Sequence, residues 1–275
     1  MRVDEFICCP RCKGDLLPRP ADSPAEPDAG GPGGCACAAC GLEYPGADGV
    51  VDFLPDAKGA KGLAQKLMES RRMVELYEGK WWRASKLFAP FMGITLNNEI
   101  ALIRMITAPG PAEAVLDLAC GPGIYARAFA QDSPARTVFG LDLSWPMLKY
   151  AARKAESLGL ENITFMHGDA HFLPFRDSSL DVANCCGALH LFRDIRQVLG
   201  ELARVLRPGG RFSAAMAMRS SKPLNRLKAY LDEKFWRIHY FQQAEIKELF
   251  DEAGFVPTVH HARGVWMIAG GVRRP

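Results

Sequence analysis

The chain lacks any stretch approaching the roughly 18 consecutive apolar residues of a membrane-spanning helix. Its first residues, Met-Arg-Val-Asp-Glu, carry no apolar signal core. A cytoplasmic protein with no membrane partner is therefore expected. Internal repeats are absent as well, and the composition lacks the bias of a disordered or fibrous chain. Of its 275 residues 48% are hydrophobic, enough for a sizeable core, and the length suits one large domain or one domain with a small module. Strong net charge is missing too, at +3 overall. The balance is uneven: residues 1–58 hold 5 Lys and Arg against 10 Asp and Glu, giving −5, and residues 59–275 hold 29 against 21, giving +8. Proteins that grip RNA usually present a basic stripe, so the acidic N-terminal part is a poor RNA hook.

Cysteine is what the chain does have in abundance, with 9 residues, 6 of them among the first 40. Cys9-Pro-Arg-Cys12 and Cys37-Ala-Ala-Cys40 have the two-residue separation that lets neighbouring thiolates meet one tetrahedral Zn2+. The interval Lys13 to Ala36 exceeds the usual spacing, but it is mostly a Pro-, Ala-, Gly- and Asp-rich loop, and closure entropy grows only logarithmically with length. A zinc ribbon is expected with Cys9, Cys12, Cys37 and Cys40 as ligands; Cys8 or Cys35 could replace a neighbour. A disulfide cluster would need an oxidising compartment, for which no targeting signal speaks. Four thiolates leave a zinc no open position. The module's role is thus structural or in substrate binding.

The rest of the chain is organised around Val115-Leu-Asp-Leu-Ala-Cys-Gly-Pro-Gly-Ile-Tyr125. Apolar residues run into a glycine turn and then into helical spacing, which reads as strand, tight turn, helix. Gly121 and Gly123 permit a sharp bend and close approach of a ligand to the main chain, and the helix start offers unpaired N–H groups. The spacing also satisfies a dinucleotide fingerprint. Asp117, however, lies ahead of the first glycine, where a pyrophosphate site would prefer an uncharged residue. Val138-Phe-Gly-Leu-Asp142 is a second buried strand, whose acid 25 residues after Asp117 can take both ribose hydroxyls. Ile163-Thr-Phe-Met-His-Gly-Asp169-Ala170 closes on a third acid, able to accept from an exocyclic amine such as that of adenine.

These motifs, together with Gly140-Leu-Asp-Leu-Ser144, Leu173-Pro-Phe175, Leu180-Asp-Val and Glu201-Leu-Ala-Arg-Val-Leu-Arg-Pro-Gly-Gly-Arg211, resemble the successive signatures of class I S-adenosylmethionine-dependent methyltransferases. The group most nearly resembled is the small-molecule one that includes quinone-ring methylating enzymes. Ala119 stands where that family often has glycine. The resemblance implies an α/β fold with a seven-stranded, mostly parallel, doubly wound sheet. It also implies S-adenosylmethionine as cofactor, with Asp117 toward the methionine ammonium, Ala119, Gly121 and Gly123 in the loop, and Asp142 on the ribose. Asp169 and Ala170 fall to the adenine, Leu143 and Met147 to its faces, and Cys185 to packing against the cofactor. Cys9-Pro-Arg-Cys-Lys-Gly-Asp-Leu16 and Cys37-Ala-Ala-Cys-Gly-Leu-Glu-Tyr-Pro-Gly-Ala-Asp-Gly-Val50 resemble the two halves of a short zinc-binding module found ahead of some methyltransferase domains.

The expected organisation is a zinc ribbon over 1–57, a linker and helical lid over 58–111, and the cofactor-binding domain over 112–275. Asp56 to Gly62 reads as linker and Leu63 to Tyr77 as a helix. Tyr77, Trp81, Trp82 and Phe91 could wall an acceptor pocket or merely anchor helices. Leu180 to His190 reads as a fourth strand whose end faces the reactive methyl. There His190 could act as a base, or simply bond backbone in the pocket wall. Phe212 to Met218 reads as a fifth strand, about 219–240 as a substrate-facing insertion that includes Tyr240, Phe241 to Ala253 as a helix, and Phe255–Val259 with Gly264–Ala269 as a final hairpin. Methylation of carbon, oxygen or nitrogen on a small molecule is the leading expectation. An rRNA base methyltransferase that reads RNA with the zinc module, and a non-methylating accessory protein, are the alternatives. Oligomeric state is not legible.

Overall fold

The computed structural model describes residues 5–18, 34–54, 93–220, 223–236 and 238–275, with backbone alone for 223–228 and 236. The expected linker, the helix at 63–77 and the aromatic segment with Tyr77, Trp81, Trp82 and Phe91 lie outside the described residues.

Near the N-terminus β1 (Leu16–Pro18), β2 (Cys35–Cys37) and β3 (Glu43–Tyr44) form a small antiparallel sheet. A two-residue hairpin joins β4 (Gly46–Ala47) to β5 (Val50–Asp52), with Asp48 and Gly49 at φ 53° and 78°. An Asp-Gly pair favours that geometry, because both central residues need positive φ. This hairpin lies outside the small sheet, and β5 pairs in parallel with β8 (Ile163–His167), setting Val50, Val51 and Asp52 opposite Phe165, Met166 and His167.

The large sheet also holds β6 (Ala114–Leu118), β7 (Thr137–Asp142), β9 (Leu180–Cys186), β10 (Leu206–Ala217), β11 (Phe255–Arg263) and β12 (Trp266–Arg273). Its order is β11-β12-β10-β9-β6-β7-β8-β5-β4. Seven strands come from residues beyond 111, as expected, and two more are lent by the N-terminal segment. Pairing is parallel from β10 through β9, β6, β7 and β8 to β5 and antiparallel at both ends. Strand order reverses between β6 and β9, the place where open α/β sheets form a ligand crevice. β10 begins earlier than the sequence suggested, because Arg207-Pro-Gly-Gly sits within the strand as an irregularity, with Gly209 at φ 77°.

Alternation along the strands feeds two cores. One face packs against α1 (Leu96–Thr107), α2 (Ile124–Asp132) and α3 (Trp145–Ser157) through Ile103, Phe129, Leu148 and Ala151. The opposite face packs against α4 (Ile195–Val205) and α6 (Gln243–Glu252), with α5 (Pro223–Trp236) between them in sequence. Ile7, Leu16, Tyr44 and Phe53 of the N-terminal segment join that second core. Phe139 is the hub there: its ring lies 5.5 Å from Phe6 and 5.1 Å from Phe175. Each phenylalanine fully buried in this way contributes about 1.5–3 kcal/mol.

Leu173-Pro-Phe175 explains itself in this setting. Ile7 bridges to Phe175, the Cys8 amide donates to the Pro174 carbonyl at 3.1 Å, and the Arg176 amide donates to the Phe6 carbonyl at 2.9 Å. From the other side Arg204 donates to the Leu173 and Phe175 carbonyls, and Glu201 accepts from the Leu173 amide. The segment is clamped between α4 and the cysteine-bearing module. No helix among the described residues is long and apolar enough to cross a membrane.

Candidate functional site

Asp117, Asp142 and Asp169 stand at or just beyond the carboxyl ends of β6, β7 and β8, which are neighbours in the sheet. Three carboxylates therefore meet at one rim, beside the crevice opened by the order reversal. Between them runs the turn Ala119 to Gly123. Ala119, Gly121 and Gly123 have φ 53°, 52° and 77°, so Ala119 occupies a left-handed conformation that glycine would adopt without strain. The two glycines differ in purpose. A Cβ at Gly121 would meet nothing within 4 Å, whereas one at Gly123 would lie 3.0 Å from Ala151 Cβ and 3.2 Å from the Phe165 ring. Gly121 leaves open space on the loop; Gly123 lets α2 pack tightly against α3 and β8.

Asp117 is buried, with 1% of its surface exposed. Its Oδ2 accepts from the Ala126 amide at 2.9 Å and its Oδ1 from Asn184 Nδ2 at 2.8 Å, while Asn184 Oδ1 accepts from Ser213 Oγ at 2.9 Å. A polar chain thus crosses three strands and ends on the first turn of α2, satisfying one of the amides that a helix start leaves orphaned. Burial pushes the Asp117 carboxyl up to about 7 against the opposing pull of these bonds. The sequence reading missed Asn184 and Ser213; their signal was a polar residue in each of two otherwise apolar strands.

Asp142 braces the loop from the other side. One oxygen accepts from the Gly121 amide at 2.7 Å and the other from the Ser144 amide at 2.8 Å. A carboxylate has roughly four acceptor positions, so each oxygen retains capacity for a ligand hydroxyl. Asp169 Oδ1 accepts from the His171 amide at 2.9 Å and faces His171 Nδ1 at 2.6 Å. Leu143 is 45% exposed at the rim, while Met147 and Ala170 are buried nearby in sequence, on α3 and past β8. Cys185 is wholly buried in the core on the α4 face, and burial raises its thiol far above the ordinary range.

His190 lies in the 3-10 turn Leu189–Leu191 after β9. The Ala217 amide donates to its Nδ1 at 3.4 Å, and the Trp266 ring meets it edge-on at 5.8 Å. When Nδ1 accepts, a neutral imidazole carries its proton on Nε2 and is a donor there. Close by, Glu99 of α1 is 3% exposed and accepts from Trp266 Nε1 and Cys186 Sγ, both at 3.0 Å. Glu99 was not singled out from sequence, although an acid on the apolar side of an amphipathic helix was a visible signal. Tyr240 donates its hydroxyl to Asp232 at 2.6 Å.

In the N-terminal module the thiols of Cys9, Cys12, Cys37 and Cys40 all lie within 4.8 Å of one another. The pairs Cys9–Cys40 and Cys12–Cys37 are 3.8 and 3.4 Å apart, against the S···S edge of about 3.8 Å of a tetrahedron with 2.3 Å zinc–sulfur bonds. Although burial acts to raise it, the amides of Cys40 and Ala39 pull the Cys37 thiol down to about 6. Tyr44 Oη lies 3.1 Å from Cys9 Sγ and supplies a further hydrogen bond. Cys8 and Cys35 are buried and stand outside the cluster. The residues present fit a tetrahedral zinc.

Residues 115–210 match the family model described as a methyltransferase domain. The demethylmenaquinone methyltransferase of Symbiobacterium thermophilum is 32% identical over 179 residues, covering 54% of this chain and 70% of the relative. That of Thermus thermophilus is 44% identical over 97 residues, 35% of this chain and 44% of the relative, so the chain spans less than half of that protein's length. Among solved structures, the YcgJ protein of Bacillus subtilis superimposes with a TM-score of 0.57 at 22% identity, covering 65% of this chain and 99% of that one.

Proposed function

Because the chain belongs to the class I S-adenosylmethionine-dependent methyltransferases, we propose that it moves a methyl group from that cofactor to a small-molecule acceptor. The observation that carries this reading is the trio of carboxylates at adjacent strand ends around an open glycine loop. Bound there, the cofactor supplies an electrophilic methyl on a sulfonium. Asp117 would balance the methionine ammonium, directly or through water, and the open face of Gly121 would admit the ligand to the backbone. Asp142 would accept from the ribose hydroxyls; Asp169 and the Ala170 amide would meet the adenine, with Leu143 and Met147 on its faces. Positioning and exclusion of water account for most of the acceleration in this scheme, since a thioether leaves without an acid. His190, Glu99 and Trp266 would form the acceptor's side of the crevice.

The demethylmenaquinone methyltransferase relatives make a quinone-like aromatic the first acceptor class to test. Acidity of the N-terminal module speaks against RNA. We further read its four-cysteine cluster as a zinc site whose metal holds the module folded. Incubation with labelled cofactor, a panel of phenols and quinols, and total RNA is expected to label the small molecules; label in RNA alone, or nowhere, overturns the proposal. Asp142→Ala is expected to weaken S-adenosylmethionine binding by about 1 kcal/mol or more, the usual consequence of losing hydrogen bonds to buried hydroxyls. Calorimetry giving wild-type affinity would remove Asp142 from the site.

A further inference from the structure

β5 brings a charged side chain from the N-terminal module to the cofactor rim. Asp52, at the end of that strand, is the register partner of His167, and His167 is in turn the register partner of Asp142. The three residues thus form one row across β5, β8 and β7. His167 Nδ1 lies 2.7 Å from Asp52 Oδ1, and its Nε2 lies 3.2 Å from the Leu143 carbonyl. Both partners are acceptors, so the ring is held between two groups to which an imidazole N–H can donate. Trp145, the first residue of α3, packs edge-on against the imidazole at 5.4 Å and holds its plane. The side chains are 13% exposed for His167 and 19% for Asp52, which shields the pair from full solvent screening.

We propose that the N-terminal module completes the nucleoside end of the cofactor site: Asp52 is a positioning residue that orients His167, and His167 fixes the Leu143 carbonyl and faces Asp142. The inference rests on the reading above that Asp142 and Leu143 hold the nucleoside. It gives the sheet pairing of β5 a functional consequence, since moving the module would withdraw Asp52 and leave the rim without its anchor. Burial raises the Asp142 carboxyl, and the Gly121 and Ser144 amides and then the nearby His167 oppose that rise. Asp52 Oδ1 also accepts from the Leu54 amide at 2.8 Å, so a turn-forming role must be separated from the role toward His167.

The test uses the full, zinc-loaded chain and calorimetric titration with S-adenosylmethionine, with zinc content measured on every sample. Asp52→Ala is expected to raise the Kd about tenfold, as loss of a charge-assisted bond that orders a neighbour does. His167→Ala should do at least as much, and the double variant should match His167→Ala within about twofold, because the two residues act in series. Asp52→Asn keeps the acceptor for the Leu54 amide but not the charge, and should fall between wild type and Asp52→Ala. The KM for the methyl acceptor should stay within about twofold in all of them, because the loss is confined to ground-state cofactor binding. Wild-type affinity in Asp52→Ala, fully multiplicative effects in the double variant, or wild-type affinity in Asp52→Asn would each overturn the proposal. Asp142→Ala run alongside separates the two layers. If it binds normally the site reading itself fails, and if it alone binds weakly only the role of Asp52 fails.

Discussion

Asp117→Ala is expected to abolish measurable S-adenosylmethionine binding and to lower the stability of the fold. The substitution strands the Ala126 amide and Asn184 Nδ2, both otherwise satisfied by the carboxylate, and each buried orphan costs about 1–3 kcal/mol. It also frees the first turn of α2 and with it the loop that carries Gly121. Asp117→Asn separates these effects. The Asn184 amide can turn over, donating to the Ser213 hydroxyl and accepting from the new Asn side chain, so the polar chain closes again without a charge. Asp117→Asn should therefore melt near wild type while binding the cofactor weakly.

The same residue sets a pH dependence. Burial lifts the Asp117 carboxyl from the usual range to about 7, so ionising it is harder in the folded chain than in the unfolded one. Its contribution to stability is then fully present below the unfolded value and is lost as pH rises through about 7. A bound ammonium reverses the preference by favouring the carboxylate. Cofactor affinity should accordingly rise several-fold between about pH 6 and pH 8 in the wild type, and the rise should vanish in Asp117→Asn. Equal slopes in the two proteins, read by calorimetry at matched ionic strength, would detach Asp117 from the ammonium.

Removal of the metal should have the second large effect. Structural zinc contributes about 10–16 kcal/mol of apparent binding energy to small cysteine modules, and this module has little core of its own. Cys37→Ser, or exhaustive chelation, is expected to take the bound zinc from one per chain to none. Amide protection should be lost in β1 to β3 and, through the pairing of β5 with β8, at Phe165 to His167. Cys8→Ser and Cys35→Ser should each retain one zinc, since both thiols stand outside the cluster. Elemental analysis that found no zinc in the wild type, or a loss in Cys35→Ser, would contradict the ligand assignment. Hydrogen exchange confined to the three-stranded sheet would show that the module and the large sheet are energetically separate.

The features legible in the sequence were those whose physics is local. Two cysteines separated by two residues must share a turn, whatever surrounds them, so the pairing of the four cysteines into one cluster could be read from spacing alone. Apolar runs, glycines where φ must be positive, and an acid at or just beyond each strand end announced the ends of β6, β7 and β8 for the same reason. What tertiary structure alone decided was pairing at long range. Backbone hydrogen bonds between parallel strands carry no residue code, so nothing in Val50-Val-Asp52 declared that it would lie beside residues 165–167 and make the N-terminal module an edge of the sheet. The bonds of Asp117 with Asn184, and the contact of Asp52 with His167, span 67 and 115 residues of chain. A polar side chain in an apolar strand signals a buried partner; only the fold says which one, because burial forces satisfaction without naming the group that supplies it.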